Sequence, residues 1–116
     1  MHKKIIVLVL TILFLASSVI ASSIDDRDKL AEILTKEFMQ NGSVVGCTCE
    51  GTNADILAVT TMIPSNFAPL VRAFSLPSKK KYLKTMGFKK IIIRATDFDK
   101  NGVSLGVVKK KEIILK

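Results

Sequence analysis

The stretch Ser43–Ile63, SVVGCTCEGTNADILAVTTMI, decides the fold. Val45, Cys47 and Cys49 alternate with Val44, Gly46, Thr48 and Glu50, the period of two that marks a strand. Gly51-Thr52-Asn53 is turn chemistry. Ala54–Ile63 then reads as a second strand, rich in Ile, Leu, Val and Thr, and Pro64 ends it because proline cannot donate to a ladder. So short a connection predicts an antiparallel hairpin.

Upstream, Asp25–Asn41 reads as a helix, with Leu30, Ile33, Leu34 and Phe38 on one stripe of a 3.6-residue period. Asp25, Asp26 and Asp28 crowd its first turn, where the macrodipole favours negative charge. Ser23 or Asp25 can cap it, and Asn41-Gly42 stops it. Downstream, Ser65–Met86 is helical but interrupted. Phe67, Leu70, Val71 and Phe74 form a stripe, Pro69 fits only in a first turn, and Pro77 predicts two short helices or a kink near Ser75–Ser78. Leu76, Leu83 and Met86 mark the inner side of the second piece, with Lys79, Lys80, Lys81 and Lys84 outside and Gly87 closing it. Phe88–Thr96 is a third strand around Ile91-Ile92-Ile93, Asp97–Gly102 a turn, and Val103–Val108 a fourth strand. Lys109-Lys110-Lys111 follows, and Glu112–Lys116 either extends that strand or adds a short one. The expected fold class is a small two-layer α+β domain. A four-stranded, mainly antiparallel sheet packs on two helical segments in the order α-β-β-α-β-β.

Met1–Ala21 has the three-part layout of a secretory signal. His2, Lys3 and Lys4 form a basic start, Ile5–Leu15 is apolar except for Thr11, and small residues precede a cut after Ala21. A retained anchor is the competing reading, although the apolar part falls short of the about 20 residues a spanning helix needs. The expectation is an exported protein, periplasmic or secreted, with residues 22–116 as one domain. Membrane contact is then peripheral at most unless the signal stays as an anchor.

The full chain carries a net charge of +8, and without Lys3 and Lys4 it carries +6. Ser22–Val71 holds 3 basic and 7 acidic residues, whereas Arg72–Lys116 holds 13 basic and 3 acidic. That split suggests an anionic envelope component or an acidic protein as partner, and export argues against nucleic acid. Lys79, Lys80, Lys81, Lys84, Lys89, Lys90, Lys109, Lys110 and Lys111 form one patch if the second helix and the strand ends lie side by side. The plainer reading is a solvated helix face plus charged strand ends that discourage aggregation.

Cys47 and Cys49 are the other candidate site. An oxidising compartment invites a disulfide. On a regular strand, though, i and i+2 Cα atoms lie roughly 6.5–7 Å apart, at or beyond disulfide reach. Two thiolates on one face can instead hold a soft metal, but the processed chain has no histidine, because the single one is His2. A closed zinc site is therefore not expected, and two small buried core residues are the simplest account. Asp97–Gly102 matches the first half of a calcium loop, but Val108 stands where its last ligand must be, so a hairpin turn on Asn101-Gly102 is the better reading. Without histidine, nucleophile activation and the usual general base are missing. No cofactor and no enzymatic activity are expected. The leading expectation is a non-enzymatic binding module. The alternatives are a thiol or soft-metal protein using Cys47 and Cys49, and a structural subunit of an exported assembly.

Overall fold

The structure, a computed structural model, describes residues 23–116. The export-signal expectation falls on residues outside these. In chain order the described residues form α1 (Ile24–Gln40), β1 (Val45–Glu50), β2 (Ile56–Thr61), a 3-10 turn (Pro64–Asn66), α2 (Phe67–Phe74), α3 (Pro77–Thr85), β3 (Lys90–Phe98) and β4 (Ser104–Ile114). No described helix is long and apolar enough to cross a membrane.

The order α-β-β-α-β-β holds, with three helices in place of two helical segments because Pro77 divides the second. The chain leaves α2 at Ser75, Leu76 is extended, and Pro77 opens α3 in the first turn, where its missing N–H costs nothing. At the other end of the chain, Ser23 and Asp26 form a reciprocal capping box that starts α1. Gly42, at φ 80°, turns the chain out of it.

The sheet runs β1-β2-β3-β4. β1 pairs with β2 antiparallel and β3 with β4 antiparallel, but β2 and β3 are parallel. The sheet is therefore mixed rather than mainly antiparallel. The reason is the crossover: α2 and α3 carry the chain back to the end where β2 began, so β3 must run beside β2 in the same direction.

One face of the sheet takes the helices. Register places Cys47, Val59, Ile93 and Lys111 in one row and Cys49, Leu57, Ile91 and Ile113 in the next. Leu57, Val59, Ile91 and Ile93 are fully buried there against Leu70, Phe74, Leu83 and Phe88. α1 lies over the outer edge of β1. Thr35 Oγ1 accepts from the Cys47 amide at 2.8 Å and sits 3.2 Å from the Cys47 carbonyl, so it satisfies backbone that no strand reaches. The buried face of α1 centres on Arg27 and Ala31, with Leu34 and Phe38 packed beside them, while Ile33 turns outward. The core residues all lie between Ala31 and Leu115, so the described residues close a core by themselves.

No helix among the described residues covers the opposite face. Arg94 and Glu50 form a two-pronged ion pair with both contacts at 2.8 Å. Arg94 is on β3 and Glu50 on β1, so the guanidinium arm crosses β2. The β2 residue between their registers is Ala58, buried although it faces this open side. Hydrogen bonds from Arg94 hold the Glu50 carboxyl below the usual carboxylate range.

β3 and β4 run on past the ends of β1 and β2. Beyond Ala95 no other described strand pairs with the hairpin, and Phe98, Val103, Leu105, Val107 and Val108 are exposed on it. Register shifts beside Thr96 and Phe98 leave Val108 and Leu105 without partners, and Gly106 takes φ 77°. At the tip, Asp99 Oδ1 accepts from the amides of Asn101 and Val103, and Gly102 N donates to the Asp99 carbonyl. The calcium-like motif is thus a hairpin turn whose acid caps its own backbone.

Arg27 ties three elements together. Its Nε donates to the Ala54 carbonyl at 2.9 Å, one terminal nitrogen to the Asn53 carbonyl at 2.8 Å, and the other to Met86 at 3.4 Å. Ala54 sits at φ 54°, a conformation costly for any residue with a Cβ. Arg27 grips the carbonyls at this strained corner. Arg27→Met keeps the stem and removes these three donors. A loss of about 3 kcal/mol is expected in urea unfolding, with Arg27→Lys intermediate. Wild-type stability in Arg27→Met would refute the tie.

Candidate functional site

The sequence-derived lysine patch divides in space. Lys79 lies over the Phe74 ring, 6.0 Å from its centre, beside Glu37 on the α1 side. Lys89 faces Asp55 at 4.0 Å. Lys90 and Lys110 flank Glu112 on the open face of the sheet, each 3.4 Å from a carboxylate oxygen, and they hold its carboxyl below the usual range. Lys109 crosses to the helix face and sits 5.9 Å from the centre of the Phe67 ring. Lys111 shares that face by register and is exposed. The triplet Lys109–Lys111 lies inside β4, so its charges alternate between faces and cannot act as one strand-end cluster.

Three of the nine stay together. Lys80, Lys81 and Lys84 line a groove of about 690 Å³ between α3 and the end of β4, with Pro77, Thr85, Ile114, Leu115 and Lys116. The geometry follows from the helix. Lys80 and Lys84 are one turn apart and Lys81 is adjacent, so Leu83 plugs the core while the lysines flank it. Lys116 adds a fourth ammonium from the strand side. No lining side chain is acidic, and none of the four lysine side chains has an ion-pair partner among the described residues. Such a groove can hold an anion against four donors, over walls that are partly apolar. Lys116 was not among the sequence candidates. Nothing in its local sequence places it near α3, because the contact depends on β4 continuing as far as Ile114.

Cys47 and Cys49 are free thiols on the helix-covered face of β1. Cys47 is part of the core, and burial pushes its thiol up to about 12. Cys49 is half-buried. Burial again leads, and the Asp28 carboxylate beside it adds to the shift, taking it to about 11. Thiolate is the form that attacks, exchanges or binds metal, and both sites disfavour it. Among the described residues no group of three or more His, Cys, Asp or Glu side chains is placed to hold a metal ion. The arrangement fits the core reading of this pair.

Sequence reasoning also missed Arg27 and the Glu50–Arg94 pair. Arg27 could have been found: Arg27, Ala31, Leu34 and Phe38 follow one helical stripe. The Glu50–Arg94 pairing depends on strand order and carried no local signal.

The thiols give a direct test. At pH 8 the folded protein should react with iodoacetamide at least about 100-fold more slowly than free cysteine, whose pKa is about 8.5. The same burial sets an alkaline limit. The unfolded chain ionises Cys47 near its ordinary value of 9.0, whereas the folded chain holds it neutral to about 12. The stability present below pH 9 is therefore lost above it, at about 1.4 kcal/mol per pH unit from this group. Cys47→Ala should flatten that limb in denaturant titrations at pH 8 to 10.5, and an unchanged limb would contradict the assignment.

Compared with known proteins, the chain matches no family model, no curated protein and no solved structure.

Proposed function

We propose that this is an exported, non-enzymatic binding protein that engages an anionic envelope component or an acidic partner through the lysine groove. The observation that carries the reading is the set of Lys80, Lys81, Lys84 and Lys116 around one groove with no acidic side chain lining it. Of the candidate lysines outside the groove, all but the exposed Lys111 are matched by Asp55, Glu112 or an aromatic ring. Calorimetric titration of the purified protein with inorganic polyphosphate tests it. Binding should weaken with added salt, and Lys81→Glu with Lys84→Glu should lower affinity more than tenfold, at about 1 kcal/mol or more per altered charge. Salt-insensitive binding, or binding unchanged in the double variant, defeats the proposal.

A second reading, a structural subunit, is favoured by the protruding hairpin with its five exposed apolar side chains. Contiguous exposed apolar surface on a small domain commonly marks an interaction site. Light scattering after size exclusion should then find a dimer that Leu105→Ser with Val107→Ser converts to monomer. A monomeric wild type at high concentration excludes this reading.

A further inference from the structure

Resting on the anion-binding reading above, we propose that the ligand of the groove is the phosphate headgroup layer of an anionic bilayer, met by the corner of the molecule where α3 and β4 end.

Two independent observations point to a lipid rather than a soluble polyanion. The first is the groove's mixed chemistry. Four ammoniums surround Pro77, Ile114 and Leu115, and Ile114 is 52% exposed although it is a large aliphatic side chain. A polyphosphate chain has no use for that apolar wall. A headgroup does, because its phosphate meets the lysines while the glycerol and first acyl carbons meet Ile114 and Pro77. The second is where the chain enters the fold. The turn between β1 and β2, the start of β3 and the end of β4 lie at one end of the sheet. Arg27 bonds to Asn53, Ala54 and Met86, so the start of α1 is at that same end. Met86 is adjacent to Thr85, which lines the groove. The apolar run Ile5–Leu15 is therefore covalently joined at the groove's end of the molecule. Were that run retained as an anchor, the chain would leave the membrane at this end of the fold.

The acids of α1, Asp25, Asp26 and Asp28, begin the helix that packs on β1, the edge strand opposite β4. Asp26 is occupied in the capping box, and Asp28 stands beside Cys49. The bilayer is thus met obliquely, by the β4 corner. Each lysine brought near an anionic surface contributes about fivefold in partitioning.

The test uses the chain from Ser22 onward, which retains the whole described core and lacks the apolar run. Co-sedimentation is measured with vesicles rich in phosphatidylglycerol, with phosphatidylcholine vesicles, and in parallel with inorganic polyphosphate. Binding to the anionic vesicles alone of the two is expected. Lys81→Gln with Lys84→Gln should weaken it by about 25-fold, while Lys29→Gln with Lys36→Gln, an equal loss of charge on α1, should change it less than twofold. Ile114→Ser should weaken vesicle binding at least threefold and leave polyphosphate binding unchanged. Polyphosphate binding without vesicle binding, or vesicle binding indifferent to Ile114→Ser, overturns the lipid assignment and leaves the anion-binding reading standing. Absence of binding to both probes overturns the two together.

Discussion

The parallel pairing of β2 with β3 is the constraint on which the rest of this structure depends. Parallel strands are stable when both faces are covered. Here the helix face is covered in the ordinary way, and Leu57, Val59, Ile91 and Ile93 are fully buried. The other face has no helix among the described residues, yet Ala58 is 1% and Ile92 6% exposed. The Arg94–Glu50 pair resolves this by laying a long side chain across the centre of the sheet and fixing its end on β1. A pair of this exposure is worth about 1 kcal/mol as electrostatics. Its larger effect is to keep water off small apolar residues, through the methylene stem as much as the charge.

The crossover that makes the pairing parallel also builds the groove. Because α3 must deliver the chain to the start of β3, its last turn lies at the same end as the close of β4. The lysines that keep α3 soluble on its outer side are thereby brought against Lys116. Charge that reads as a solvated face in one dimension becomes a concave basic surface through strand order alone.

Local structure was legible in the sequence, and pairing was not. Capping by Ser23, the stop at Gly42, the break at Pro77 and the turn at Asn101-Gly102 rest on backbone chemistry within a few residues, and each is found where that chemistry places it. The mixed sheet was misjudged because element order does not say which strands lie side by side. The signal was present: Leu57-Ala58-Val59 and Ile91-Ile92-Ile93 are unbroken apolar runs, the mark of strands covered on both faces. Of the candidate site, Lys80, Lys81 and Lys84 were legible from helical spacing. Lys109–Lys111 were misplaced because a run of three lysines looks like a terminus, whereas an exposed edge strand tolerates it.

The hydroxyl of Thr35 has a consequence for how this chain could multiply. By occupying the outer backbone of Cys47, it closes one side of the sheet to strand addition. β4, on the other side, is open but interrupted by two bulges. Growth of a fibre by successive sheet extension needs two complementary edges on every copy. Among the described residues this fold offers one, so association through these strands is self-limiting: the first partner caps the edge and leaves no template for a third.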